Sequence, residues 1–421
     1  MPLIKDTNFY RYIISEFNII YPDTTTTKLT HAEVLGLGIE KDFDNCYYPL
    51  LNVKLLLDYI TYYKIMENKT TVRFKFKLGK YIVDKETMDV DGVNNKKFIE
   101  TVFDCTFGIY IDDDVMAMDK DLYEKTLETI GEQALSKTAY DFYLFKDEDL
   151  KSGKFTINRV LSNCNMTNTL MYLFSKSGMK NLLMSPLDNS RTYSEVLIPY
   201  IPLTQTVKFL EQHYGFYKSG HTFFFDFNTA YFIAKYGKSV YRTGEYNTAV
   251  MTFFKPGATN SLTPGCYKDK ASKKLIIHVS QNNMTPLTES IVQEQIGGTN
   301  VAVVDASSDG VNDVTPDVDT RANKTTKVVV NKFENPYLNS MILFKRLENS
   351  KVVDVMLYDV DLSFLTPNKI YIFTFEDKAT QKAYGGNYRL VNYNTTYKKE
   401  GTNFSVTVQA RFKTTSFNQS L

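Results

Sequence analysis

The chain has 421 residues, enough for two or three domains, each with its own core. Its 49 basic residues nearly balance 48 acidic ones, and this net charge of +1 argues against a strongly basic nucleic-acid fold or a polyacidic tail, while leaving room for a local charged surface. Thirty Tyr and 29 Phe with no Trp favour strands, and also suit large, partly polar subunit contacts.

Cys46, Cys105, Cys164 and Cys266 are scattered without CxxC spacing. That argues against a small-domain disulfide framework and an all-cysteine zinc site, and predicts buried free thiols in a reducing compartment. The first residues, Met1 to Asp6, lack a basic segment followed by an apolar one, so no secretory signal is expected. Apolar runs such as Leu50–Ile60 are interrupted by Lys54 and Asp58, so no membrane insertion is expected and the chain reads as soluble.

Residues 1–117 read mostly as strands forming a small antiparallel barrel or sandwich. Val72–Leu78 alternates strictly, with Val72, Phe74, Phe76 and Leu78 on one face and Arg73, Lys75 and Lys77 on the other. Ile99–Ile111 continues as strand, broken at Gly108 and closed by Asp112, Asp113 and Asp114. Leu51–Met66 fits either a short helix or a buried strand.

Residues 118–238 change character to α/β. Asp119 or Asp121 can cap a helix bearing Tyr123, Leu127, Ile130 and Ala134. A short strand is expected within Phe155–Leu161. A second helix presents Met166, Leu170, Leu173 and Phe174 and ends near Gly178. A third follows Pro202 with Thr204 as N-cap, presents Leu203, Val207, Leu210 and Tyr214, and stops at Gly215. Thr222–Phe227 and Ala230–Ala234 predict a hairpin about Asn228 and Thr229.

Residues 239–421 return to strands, read at Leu275–Val279, Lys327–Val330, Val352–Tyr358, Ile370–Phe375, Tyr388–Tyr393 and Phe404–Phe412. Residues 297–326 are rich in turn formers and predict a long exposed loop. No internal repeat is legible.

Candidate chemistry is sparse. His213 and His221 flank an aromatic turn and could meet Asp226 around a metal, but they lack the i, i+4 registry of helical sites. Asp309, Asp313, Asp317 and Asp319 have the wrong order for an EF-hand, and a solvated loop is the better reading. Asp112–Asp114 reads as a solvated turn in preference to a two-metal site. Arg73, Lys75 and Lys77 could line a nucleic-acid path, yet a solvated strand face is the commoner use of such a stripe. Gly297–Gly298 and Gly385–Gly386 read as turns, with no phosphate loop and no nucleophile elbow. Two facing carboxylates for glycoside hydrolysis are neither suggested nor excluded among 48 acidic residues, but no catalytic, cofactor-binding or metal constellation is legible, and a non-enzymatic protein is the expectation.

The segment from Lys154 to Lys235 resembles baseplate hub proteins of contractile-tailed bacteriophages. Asn163–Phe174 is similar to the family's helix-bearing unit, and Val196–Thr204 to its Pro-bounded extended lead-in, with Tyr200 and Ile201 where other members have a tighter Pro pair. Leu210–Tyr217 and Phe223–Phe227 are the most recognisable part, and Tyr388–Asn394 with Phe404–Val408 resembles the closing barrel strands. By motif the resemblance covers roughly a fifth of the chain, and by layout the rest.

The resemblance implies an α+β, mainly β chain with two small antiparallel β-barrel domains separated by an α/β domain. Residues 1–117 would form the tube-like barrel, 118–238 the middle domain and 239–421 the second barrel. It implies a homotrimeric, pseudo-sixfold ring joining the hexameric tail tube to the trimeric central spike in a virion baseplate, made in the host cytoplasm. Its partners would be the tube protein, the spike and neighbouring baseplate proteins, with DNA only passing non-specifically through the lumen and no cofactor. Beyond the resemblance, the loop at 297–326 is expected to be ordered only by a neighbouring baseplate protein or the spike. The rival readings are a tail-associated cell-wall or polysaccharide hydrolase and a receptor- or carbohydrate-binding tail protein.

Overall fold

The computed structural model describes residues 8–83, 99–110, 136–235, 246–255, 264–286, 299–307, 310–314, 324–331, 335–337, 341 and 351–414. Eight strands close into an antiparallel barrel. Six come from the first part of the chain: β1 (Phe9–Ile20), β3 (Val34–Asp42), β4 (Leu50–Leu57), β5 (Arg73–Val83), β6 (Glu100–Ile109) and β7 (Thr138–Lys146). The other two are β22 (Gly386–Glu400) and β23 (Asn403–Thr414). The order is β22-β3-β4-β7-β6-β5-β1-β23, with β23 pairing back onto β22. A short β2 (Thr26–Leu29) extends β1. The barrel thus draws on all three segments read from the sequence.

Alternation builds this barrel. Val72, Phe74, Phe76 and Leu78 are buried as expected, as are Leu51, Val53, Leu55 and Leu57 on β4 and Phe404, Val406, Val408, Ala410 and Phe412 on β23. Rings fill the interior: Phe76 stacks on Phe17 and on Phe107, each at 4.8 Å between centroids. An eight-stranded barrel is just wide enough to be filled by side chains, so this one is a packed core with no bore. The ambiguous stretch after Leu51 is both things in turn. β4 ends at Leu57, and Asp58 caps α1 (Tyr59–Glu67) by accepting the Thr61 N–H at 2.8 Å. β6 runs through Gly108 where a break was expected, and the Arg73 guanidinium lies over this glycine.

A second sheet shares the β22–β23 hairpin. It adds β14 (Gly265–Asp269), β15 (Lys274–Ser280), β13 (Thr248–Phe254) and β21 (Ile370–Phe375) beside β22. Beside β23 it adds β20 (Val352–Tyr358) and β16 (Met284–Pro286). Gly386–Tyr388 pair with β21, whereas Asn392–Lys398 pair with β3. Between them the β22–β23 register slips at Val391, a bulge that lets one strand serve two sheets. β13 runs parallel to both of its neighbours, so this sheet is mixed.

The middle segment packs its own core. β8 (Arg159–Asn165) pairs with β10 (Thr192–Ile198), and β9 (Leu182–Met184), β12 (Ala230–Ala234) and β11 (His221–Phe225) form a three-stranded sheet. A short α2 (Asp147–Gly153) follows β7. On α3 (Met166–Lys176) the predicted stripe is buried, and Gly178 beyond it has φ +79°. α4 (Leu203–His213) is capped by Pro202, so Thr204 lies inside its first turn and not at the cap. Pro fixes an extended backbone there and needs no N–H partner. The strand expected at Phe155–Leu161 begins only at Arg159.

Residues 297–326 correct the sequence reading. β17 (Thr299–Ser307) pairs antiparallel with β18 (Gly310–Val314) and parallel with β19 (Lys324–Asn331). The β-branched residues Val301, Val303 and Val304 supply strand propensity in a segment otherwise rich in turn formers. The expected helix about Tyr123–Ala134 and the acidic run Asp112–Asp114 lie outside the described residues. α5 (Lys378–Tyr384) precedes β22. Among the described residues no helix is long and apolar enough to cross a membrane.

Candidate functional site

Two features stand out: a charged mouth at one end of the barrel and an exposed apolar strand pair. At the mouth, two lysines occupy the buried register of their strands, Lys41 after Leu37 and Ile39, and Lys80 after Phe76 and Leu78. Lys41 donates to both carboxylate oxygens of Asp226, at 2.8 and 2.9 Å, and lies over the rings of Phe227 and Tyr393. Lys80 meets Asp361 at 2.6 Å and, toward solvent, Glu100 at 3.3 Å. Asp361 also accepts the Ser363 N–H at 2.9 Å, holding the turn Leu362–Phe364. Tyr12, wholly buried, donates to the Val360 carbonyl at 2.8 Å and accepts the Leu362 N–H at 3.1 Å.

A third clip joins the hairpin to the end of β3. Arg389 donates to both oxygens of Asp44, at 3.1 and 2.8 Å. Burial alone would raise the Asp44 pKa, but the Arg389 guanidinium holds the carboxyl below its usual range. The three pairs therefore connect segments far apart in sequence: β3 to the β11–β12 turn, β5 to the turn after β20, and β22 to the turn after β3. Paired charges of this kind fix register more surely than they add stability.

Between these groups lies a cavity of about 330 Å³, lined by Lys41, Lys80, Lys369, Asp226, Asp361 and Tyr393 among others. Burial pulls the Lys369 ammonium down to a pKa of about 8. A neighbouring cavity of about 250 Å³ is lined by Asp104, Cys105, Lys146 and Asp149. Asp149 takes Lys146 at 3.1 Å on Oδ1, while its buried Oδ2 has no hydrogen-bond partner among the described residues. Burial pushes this carboxyl up to about 7 against the pull of Lys146, with Asp226 and Glu148 adding to the rise. The four cysteines are free thiols, and burial pushes Cys105 and Cys266 up to about 12, which makes those two unreactive.

The sequence-derived candidates do not converge. His221 pairs with Glu211 at 2.7 Å and stacks on Phe232, His213 is exposed against Phe209, and Asp226 is taken by Lys41. Among the described residues no three His, Cys, Asp or Glu side chains could share a metal. Arg73 is tied to Asp147 at 3.0 Å, while Lys75 remains exposed. Asp313 lies in β18, and Asp309, Asp317 and Asp319 fall outside the described residues. Sequence reasoning missed Lys41 and Lys80, although both sit in phase with the apolar alternation of their strands.

The second feature is the β8–β10 pair. Val160 and Leu197 sit directly opposite each other, 53 % and 46 % exposed, while Val196 and Ile198 are buried. Tyr200 beyond β10 is 71 % exposed and Met171 on α3 is half-exposed. Among the described residues no strand pairs with either outer edge of this two-stranded sheet. The signal in the sequence was the unbroken apolar run Val196-Leu197-Ile198, which a strand wet on one face does not need.

A family profile described as Bacteriophage PBS1 gene 109 protein matches residues 10–415, and the chain belongs to that family. No curated protein matches it in sequence. Among solved structures, the tail protein from Neisseria meningitidis MC58 has TM-score 0.52 at 9 % identity, over 96 % of each chain. The half-lidded Francisella PdpA–VgrG complex gives 0.49 at 8 % identity, and our chain spans 98 % of itself but only 59 % of that one. The 43 kDa tail protein of prophage MuSo2 from Shewanella oneidensis gives 0.46 at 7 % identity, over 94 % of this chain and 97 % of that one. The Neisseria likeness is one of fold. With the family match, it bears out the resemblance to phage tail proteins.

Proposed function

We propose that this protein is a structural baseplate hub that forms a homotrimeric, pseudo-sixfold ring between a hexameric tail tube and a trimeric central spike. The observation that carries the reading is the pairing of a closed barrel with a second sheet through one shared hairpin. Each copy offers two β bodies, and three copies set around an axis would offer six to a sixfold tube. The packed barrel interior supports a channel for DNA ejection between copies, not through the barrel. The division into 1–117, 118–238 and 239–421 then corresponds in the bulk of each segment to a tube-side body, a middle body and a spike-side body that meets neighbouring baseplate proteins, with β7 and the β22–β23 hairpin completing the tube-side barrel. In this reading the protein is a scaffold of the virion tail and not an enzyme.

The exposed Val160–Leu197 strand pair supports a contact between copies, since paired apolar residues on an open sheet gain by being covered. Native mass by light scattering, alone and with the tube and spike proteins of the same particle, tests the proposal. Ring-shaped trimers in either mixture are expected. A monomer under both conditions overturns the hub reading.

A further inference from the structure

Lys369 differs from the other two lysines at the barrel mouth. Among the described residues Lys41 is paired with the partly exposed Asp226 and Lys80 with the buried Asp361, whereas Lys369 donates only to neutral oxygens, Thr366 Oγ1 and the Ser363 carbonyl. Its cavity, about 330 Å³, has room for several water-sized groups and is lined by Asn228, Thr229, Thr366 and Asn368 besides the charged residues. Within the wall, three ammonium groups face two aspartates that are already paired. Glu100 also borders the cavity, but its side chain is 66 % exposed and directed at Lys80, so water screens it. A partly buried cation beside a polar cavity, with hydroxyl and amide groups around it, is a place where an anion would be held.

We infer that this cavity binds a small oxyanion, a phosphate or carboxylate group, with Lys369 as its principal partner and Lys80 and Lys41 behind it. The bound anion would complete the charge balance of the wall where β3, β5 and the turn Leu362–Lys369 converge. Binding requires the protonated amine. The Lys369 pKa of about 8 therefore makes affinity highest below that value and progressively lost above it. The charged groups facing Lys369 are Asp361, which favours its protonation, and Lys268, which opposes it, with Lys41, Lys80, Asp226 and Glu100 lining the same space. This inference does not rest on the hub reading.

Thermal melts of the full chain in inorganic phosphate or acetate, against chloride at equal ionic strength, test it. A higher midpoint is expected in phosphate at neutral pH, shrinking above the Lys369 pKa even though phosphate itself carries more charge there. Lys369→Met should abolish the rise, and Lys75→Met on the outer barrel face should keep it. An equal rise from acetate would point to a carboxylate source, such as an acidic side chain of a neighbouring protein. A rise from phosphate alone would point to a phosphate group. Should Lys369→Met fail to fold, phosphorus NMR linewidths of the wild type across the same pH range report binding directly. No rise and no broadening, or a rise unchanged in Lys369→Met, overturns the inference.

Discussion

The ammonium of Lys80 lies 2.6 Å from a carboxylate oxygen of Asp361, with side chains only 5 % and 2 % exposed. The pair joins β5 to a turn 281 residues later, on the far side of the middle segment. Lys80→Met leaves a buried carboxylate with its turn N–H but no directly paired cation, and is expected to cost about 3–5 kcal/mol in urea unfolding. Adding Asp361→Asn should recover part of that loss, because the neutral amide still accepts the Ser363 N–H and leaves no buried charge. A single-variant cost below about 1 kcal/mol would mean that the pair is wetter than its burial implies.

Asp149 carries a pH signature. Its carboxyl is 3.8 when free and about 7 in the fold, so between those values the folded state holds the extra proton. Stability from this group is therefore greatest at the acid end and falls as pH rises from about 4 to about 7, then levels off. Asp149→Asn should flatten that slope and raise stability at neutral pH by on the order of 1–3 kcal/mol. Melting temperatures across the window decide it: parallel wild-type and variant profiles would refute the assignment.

How much of this was written in the sequence can be judged strand by strand. β5, β20, β21 and β23 were legible because a single face is buried and the alternation is clean. The helix faces of α3 and α4 were legible for the same reason at a 3.6 period. What could not be read is closure. β22 serves two sheets across the slip at Val391, and no local pattern says that residues 386–400 pair with both Ile370–Phe375 and Val34–Asp42. The charged mouth was hidden likewise. Lys80 was visible as a lysine in an apolar phase, but its partner is fixed only by the topology. The strands within 297–326 were misread because turn residues outnumber the few valines that pair.

Gly215 and Gly178 make a controlled comparison. Both end helices with positive φ, +69° and +79°, so an L side chain at either pays for the left-handed backbone, about 1–2 kcal/mol. A Cβ at Gly178 meets nothing within 4 Å, whereas one at Gly215 runs into the Asn335 amide oxygen. That amide cannot retreat freely. Asn335 Oδ1 accepts the Tyr337 N–H at 2.8 Å, Asn335 N–H donates to Gln212 at 3.0 Å, and the Tyr337 hydroxyl donates to the Asp188 carbonyl at 3.0 Å. Gly178→Ala should cost only the backbone amount, and Gly215→Ala at least about 1 kcal/mol more. Equal losses would show that the 335–337 clip gives way without cost.

Leu197→Asp separates assembly from folding. The side chain is about half-exposed and its cross-strand partner Val160 is equally open, so a carboxylate there meets water and disturbs no core contact. Its effect on the unfolding of the isolated chain should stay within about 0.5 kcal/mol, the range of ordinary surface changes. If this strand pair is covered by a second copy, the same carboxylate would be buried without a partner in the ring, at a cost of several kcal/mol per contact. The expected result is a wild-type melting profile with the native mass of a monomer under conditions where the wild type is trimeric. Lys208→Asp on α4 serves as a charge-reversal control, and it should leave the mass unchanged. A Leu197→Asp trimer as stable as the wild type would remove β8–β10 from the interface and move the contact elsewhere on the chain.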